Sequence, residues 1–411
     1  MHISRIHRVG RLNILLLFGG LGLGLLAAEL ALRLAGFAFL NITVPDEDRG
    51  FAQRPGAEGW YREEGESYIR INGDGLRDMG YARAKLADTF RIAVLGDSFT
   101  VAWEVPVEAT FEAVMERALK GCPILAGKRV EAHNFGVSSY GTAQELLTLR
   151  YHVWDYDPDL VVLAVFTAND IHNNSRALEQ DPLRPYFIFR GDELVLDESF
   201  LKSDQYRARQ SAPARILYRI IDYSHVVQLL IKVNHLREVN RMHSEGRGQV
   251  NESLAAYKLG LVERYSYYEE PIYREPRDAN WAEAWRVTEA LIALMSTEVT
   301  QRGKEVLVVT LSNPIQVYPD GAVRREFMEA LGVEDLFYPD RRISDLGKRE
   351  GIDVLNLAPT LQAYADERQT FLHGFANTAL GRGHWNAEAH RVAGQLMAQR
   401  VCEQLSGNTP R

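Results

Sequence analysis

The chain has 411 residues, 46% apolar and 25% charged, an ordinary globular composition on a length that allows one large domain or two smaller ones. Its formal net charge of −8 speaks against a nucleic-acid surface, which needs a basic face. Internal repeats, low-complexity tracts, the phosphate-binding loop and Cys/His zinc patterns are all absent from the sequence, so no metal or organic cofactor is expected.

The opening stretch MHISRIHRVGR carries Arg5, Arg8 and Arg11 and no acid, and Ile14 to Ala28 is an uncharged apolar run. A basic start followed by a short apolar run reads as a secretory signal. If apolar helix continues through ELALRLAGFAFL to about Leu40, it is long enough to span a bilayer, for which about 20 residues suffice. No clean small-x-small cleavage site follows the apolar run, and no cysteine there invites lipidation. Residues 1–40 are therefore expected to form an uncleaved signal anchor, with a cleaved signal as the alternative. The positive-inside tendency keeps the arginines cytoplasmic and exports the rest of the chain. The bacterial periplasm is the natural compartment.

Residues 41–90 read as an extended, loop-rich segment, with a turn at Gly73-Asp74-Gly75. From Arg91 the pattern changes. RIAVLG predicts a strand, PVEATFEAVMERALKG an amphipathic helix, RVEAHNFG a second strand, TAQELLTLRYHVW a second helix, and PDLVVLAVFTAND a third strand apolar on both faces. Such strands alternating with helices indicate a parallel sheet covered on both sides. The rhythm then stops, and 176–279 reads as an insertion. It holds a hairpin around Arg190-Gly191-Asp192, a long helix over 215–243, a polar linker HSEGRGQVNES and the aromatic stretch YSYYEEPIYREPRD. The long helix carries charges of both signs and is expected to pack as part of the insertion rather than lie on a membrane. The α/β rhythm resumes with a helix over NWAEAWRVTEALIALMSTEVTQRG, the strand KEVLVVTLSN, a last strand in GIDVLNLAP and a last helix capped by Asn386.

Open parallel sheets bind ligands beyond the carboxyl ends of their strands. Those ends here are Gly96-Asp97-Ser98, Asn134-Phe135-Gly136 and Thr167-Ala168-Asn169-Asp170, and the last helix starts after Gly383-His384-Trp385. A serine, a glycine amide, an asparagine amide and a histidine on one rim suit acyl transfer. The hydroxyl needs a base, histidine is that base near neutral pH, and the oxyanion needs placed donors. The N–H groups of Ser98 and Gly136 and the side chain of Asn169 are the candidates. His172 is the rival base, Asp97 a structural hydrogen-bonding residue, and His390 a packing residue.

GDSFT, NFGVSSYG, TAND and GHWNAEAH, in that order, resemble the four blocks of the SGNH/GDSL hydrolases. The resemblance covers roughly 90–175 and 300–405, and INGDGLRD with the N-terminal run looks like the membrane-anchored bacterial members. It implies a three-layer α/β/α, flavodoxin-like fold over 91–411, with Ser98 as nucleophile, His384 as base, and Ser98, Gly136 and Asn169 as the oxyanion hole. One position departs from the pattern. The acid three residues before the histidine is replaced by Gly381, so a backbone carbonyl, Asp170, Asp353 or another remote acid is expected to support the ring, and the sequence does not choose among them. In a flavodoxin-like order the helix ending at Gly121 and the last helix lie side by side, which would bring Cys122 and Cys402 together as a disulfide in an oxidising compartment.

The resemblance implies an exported serine esterase that hydrolyses acyl, foremost acetyl, esters through an acyl-serine. Its partners would be an acylated envelope carbohydrate or lipid and, through the N-terminal helix, the membrane. Two alternatives stay open. One is an O-acyltransferase using the same acyl-serine; the other is a non-catalytic glycan-binding scaffold, favoured only by the missing acid.

Overall fold

The computed structural model describes residues 3–37, 40, 42–246 and 270–407. Most of the polar linker and residues 265–269 of the aromatic stretch lie outside the described residues. The chain divides into two compact units, Met1–Asn41 with Ala208–Asn251, and Ile42–Arg207 with Glu252–Arg411.

The first unit is helical: α1 (Ile3–Leu34), α8 (Ala212–Tyr223) and α9 (His225–Gly246). Within α1, Leu16–Leu34 is a 19-residue stretch of mean hydropathy 1.6 with none of it buried, long and apolar enough to cross a membrane. The helix expected over 215–243 is two helices, broken at Ser224 in extended backbone. Tertiary contacts explain the break. The Glu29 carboxylate accepts from the N–H of His225 (3.0 Å) and of Val226 (3.1 Å) and from the Ser224 hydroxyl (3.2 Å), capping the start of α9. Arg33 donates to the carbonyl of Tyr223 at 2.6 Å, closing the end of α8. The charged residues inside the apolar helix thus satisfy orphan backbone groups of its neighbours.

The second unit begins with two antiparallel hairpins where an extended segment was expected: β1 (Thr43–Asp46) with β2 (Gly50–Gln53), and β3 (Glu58–Tyr61) with β4 (Ser67–Arg70). The α/β core follows with β5 (Thr89–Gly96), α2 (Ser98–Val101), α3 (Phe111–Leu119), β6 (Arg129–Asn134), α4 (Thr142–Tyr151), β7 (Leu160–Phe166) and α5 (Asn169–Asn173). Next come α6 (Arg176–Glu179), the hairpin β8 (Tyr186–Arg190) and β9 (Glu193–Asp197), and α7 (Asp204–Gln210). The core resumes with α10 (Ala279–Gln301), β10 (Glu305–Leu311), α11 (Gly321–Leu331), α12 (Tyr338–Glu350), β11 (Val354–Asn356), α13 (Ala358–Arg368) and α14 (Ala387–Leu405). Helices α11 and α12 were not expected; in α12 the sequence YPDRRISDLGKRE offers only Ile343 and Leu346 as buried aliphatic anchors, too few to show a period.

Every residue of β5 and β7 is buried, as unbroken apolar strands in a sheet covered on both faces must be. The five strands are all parallel in the order β11-β10-β7-β5-β6. Read from the β6 edge, that is second, first, third, fourth, fifth in chain order: the flavodoxin-like arrangement, whose ligand crevice opens between the first and third strands, here β5 and β7. α3 packs against α14 and α4 against α10. Just past α3, Cys122 is joined to Cys402 of α14 by a disulfide with Cα atoms 5.7 Å apart.

Candidate active site

β5 delivers Ser98 to the crevice. Its strand ends at Gly96, and Asp97 caps the short helix α2 by accepting from the N–H of Phe99 at 2.9 Å. Ser98 is thereby the first residue of α2, with its hydroxyl at the mouth of the sheet. Asp97 is fully buried, and burial pushes its carboxyl up to about 6 against the hydrogen bonds it accepts. The far end of α2 is held by Arg77, from the INGDGLRD segment and only 1% exposed. Its guanidinium donates to the carbonyls of Val101 (2.9 Å), Ala102 (2.8 Å) and Val105 (2.6 Å).

His384 comes from the loop before α14. The ring of His373 fastens that loop, its Nδ1–H donating to the Gly383 carbonyl at 2.8 Å. The Ser98 hydroxyl and His384 Nε2 are hydrogen-bonded at 2.9 Å. On the other side of the ring, Nδ1–H donates to Glu64 at 2.7 Å, and the His384 backbone N–H donates to the second Glu64 oxygen, also at 2.7 Å. Glu104 stands 3.3 Å from the same Nδ1. Two carboxylates facing Nδ1 fix a proton there, so that in the neutral ring Nε2 is the acceptor for the serine proton.

The charges at this ring are coupled. Burial alone would lower the His384 pKa, but the carboxylates of Glu104 and Glu64, with Asp97 behind them, outweigh it and push it up to about 9. Burial opposes the Glu64 charge, yet the hydrogen bond and charge of His384 hold that carboxyl below the usual range. Glu104 is pushed upward, chiefly by burial.

The groups that face His384 Nδ1 are thus remote acids, Glu64 and Glu104, and not Asp170, Asp353 or a carbonyl. Asp170 is buried and accepts from the N–H of Phe166, and Asp353 pairs with Arg400. An acid could not stand at Gly381 either, because that residue has φ +78° and the Tyr318 ring lies 2.5 Å from where its Cβ would be. Gly383 is the necessary partner of Glu64: at φ +71°, any Cβ there would lie 2.0 Å from Glu64 Oε1.

Ser98 and His384 open on a cavity of about 350 Å³ with Phe99 and Phe166 on one side and Ser139, Asn169 and His172 among its polar groups. Asn169 hydrogen-bonds the Asp97 carboxylate and reaches the cavity wall. Gly136 does not line the cavity, and its N–H is occupied, donating to Asn134 Oδ1 at 2.9 Å. Its role is close approach: a Cβ would lie 2.6 Å from the backbone nitrogen of Val101, inside α2. The residues of this loop that reach the cavity are Ser138 and Ser139, the latter in left-handed backbone at φ +67°. The Ser139 carbonyl is held by Asn173 and Arg184.

No family model and no curated protein matches the chain. The solved structures similar to it are GDSL lipolytic proteins and acetyl xylan esterases at low identity. The acetyl xylan esterase AlAXEase is 12% identical, with a TM-score of 0.37 over 76% of this chain and 100% of that one. A catalytic mutant of the acetylxylan esterase Axe2 from Geobacillus stearothermophilus is 10% identical, with a TM-score of 0.36 over 78% of this chain and 96% of that one. The lipase/acylhydrolase from Enterococcus faecalis is 11% identical, with a TM-score of 0.34 over 77% and 96%. Likeness at this level carries no inference about the reaction, which rests on the site's own geometry.

The rival base His172 lines the cavity, but its Nδ1 faces Glu179 at 3.1 Å, and no hydrogen bond between it and Ser98 is formed. His390 accepts from the N–H of Phe111 at 3.2 Å and stacks on that ring, away from the cavity. Glu64, Glu104 and His384 also lie close enough together to hold a cation. In this structure the Nδ1–H and N–H of His384 occupy both Glu64 oxygens instead. Sequence reading missed Glu64 and Glu104. Nothing local distinguishes Glu64 from Glu63 and Glu66, whereas Glu104, an acid in the apolar run VAWEVP, carried a faint signal.

Proposed function

We propose that the protein is an exported serine esterase that removes short acyl groups, foremost acetyl, from hydroxyl-bearing envelope glycans through an acyl-serine. The observation that carries this is the relay from Ser98 through His384 to Glu64, with hydrogen bonds of 2.9 and 2.7 Å, opening on one cavity. His384 Nε2 takes the Ser98 proton as Oγ bonds to the carbonyl carbon. The N–H groups of Ser98 and Ser139 and an amide hydrogen of Asn169 meet the developing oxyanion. Among the described residues none accepts from the Ser139 N–H. The imidazolium then gives its proton to the departing alcohol oxygen. Water, losing its proton to the same Nε2, cleaves the acyl-serine to carboxylic acid and free Ser98.

The polar groups Ser138, Asn173 and His172 on the cavity wall suit a hydroxylated alcohol, and the apolar Phe99, Phe166, Ala168 and Pro314 suit the acyl group. The disulfide and the apolar α1 support export. Glu64 fills the orienting position whose vacancy was the only ground for a non-catalytic scaffold. A fluorophosphonate probe should label the wild-type protein and leave Ser98→Ala unlabelled, with acetate released from an acetylated xylo- or amino-sugar oligomer by the wild type alone. Equal labelling of the variant would remove Ser98 from the reaction. Acetyl passed to an added sugar with no free acetate would make the site a transferase.

A further inference from the structure

We propose that α8 is a membrane-surface helix, lying in the outer lipid interface beside α1 with its apolar stripe in the acyl chains. The proposal rests on α1 spanning the membrane. Ile216, Leu217, Ile220 and Tyr223 recur along α8 at the spacing of one helical face, and all are exposed, Ile216 at 61% and Tyr223 at 76%. Ile221, on another face of α8, is buried within the unit. Leu229 and Leu230 continue the exposed apolar surface into the first turns of α9.

The occupant follows from depth and charge. Between Arg11 and Glu29, α1 holds 17 uncharged residues, Leu12 to Ala28. At 1.5 Å per residue they cover about 25 Å, close to the hydrocarbon thickness of a bilayer. With the N-terminal arginines on the cytoplasmic side, Glu29 and Arg33 emerge at the outer interface. These are the residues that bind the α8–α9 junction, through the His225 and Val226 N–H groups and the Tyr223 carbonyl. The end of α8 is therefore fixed at headgroup level. Its exposed charges, Arg215 and Arg219, sit one turn apart beside the stripe, where long basic side chains reach lipid phosphates. The long helix expected over 215–243 does not form: the break at Ser224 leaves α8 with Arg215, Arg219 and the half-buried Asp222, and puts the remaining charges of that stretch on α9.

The test uses the full-length protein with its disulfide intact, in phosphatidylcholine vesicles containing a minor share of phosphatidylglycerol. Nitroxide labels are attached to Ile216→Cys, Ile220→Cys, Arg215→Cys and, within the span, Leu23→Cys. Collision with oxygen, concentrated in lipid, is compared with collision with a water-soluble nickel chelate. Labels at 216 and 220 should show an oxygen-to-nickel ratio severalfold above that at 215, and the label at 23 a higher ratio still. Nickel access at 216 and 220 equal to that at 215, with 23 still in lipid, overturns the proposal and leaves the anchor standing. Immobile labels at 216 and 220 shielded from both reagents would mean that a second copy or another protein covers the stripe, and overturn it equally. Nickel access at 23 would refute the span itself.

Discussion

Replacing Glu64 or Glu104 with glutamine tests the arrangement around His384 most directly. Glu64 makes two charge-assisted hydrogen bonds to one residue, to the Nδ1–H and the backbone N–H of His384, both at 2.7 Å. In Glu64→Gln one amide oxygen can still accept, but the amide NH₂ must then face the other donor, and the charge is gone. Losing one hydrogen bond of this kind costs about 3 kcal/mol, a fall of roughly 10²-fold in kcat/KM. Glu104, 3.3 Å from Nδ1, keeps the loss below the roughly 10⁴-fold seen elsewhere when an orienting acid is neutralised, so the double variant Glu64→Gln/Glu104→Gln should approach that value.

The same variants predict a pH signature. The reaction needs neutral imidazole, so activity is present above the His384 pKa and lost as pH falls through it. A pKa pushed up to about 9 from 6.5 represents roughly 3 kcal/mol of preference for imidazolium and puts the acidic limb of kcat/KM well into the alkaline range. The charge of Glu104 is the largest single influence raising it, so Glu104→Gln should move the limb to lower pH while the rate plateau at high pH changes less. The assay is hydrolysis of 4-nitrophenyl acetate between about pH 5 and pH 10, corrected for spontaneous hydrolysis. A wild-type limb at the ordinary imidazole value, unmoved by Glu104→Gln, would refute the coupling. A Glu64→Gln enzyme as fast as the wild type would remove Glu64 from the relay.

Other consequences are simpler. Asn169→Ala should lower kcat on the order of 10²- to 10³-fold, as loss of an oxyanion donor does; a change in KM alone would make Asn169 a binding residue. His172→Ala should cost far less activity than His384→Ala, and the reverse order would transfer the base to His172. Cys402→Ser should leave turnover near that of the wild type but lower the unfolding midpoint. The disulfide closes a loop of 280 residues, for which loop-closure entropy sets an upper guide of about 5 kcal/mol. An unchanged midpoint would mean that the bond does not constrain the unfolded chain.

Much of the core was legible in the sequence because its signals are local. Unbroken apolar runs named β5 and β7 as buried strands, since parallel strands covered on both faces have no polar side to show. Strand ends and a helix start placed Ser98, Asn169 and His384 on one rim, because an open parallel sheet delivers its carboxyl ends to one edge. Tertiary structure alone decided what crosses from distant segments. Glu64 reaches His384 across 320 residues, from a hairpin whose sequence carries no catalytic pattern, and Gly383 admits it only because nothing but hydrogen occupies the space. Gly136 looked like an oxyanion donor until Asn134 was seen to take its N–H, leaving Ser138 and Ser139 to reach the cavity. Glu29 and Arg33 looked like faults in an apolar helix until the Tyr223–Val226 backbone closed on them. In each case a polar group in one segment is satisfied by another far along the chain, and hydrophobic periodicity has no term for such a pairing.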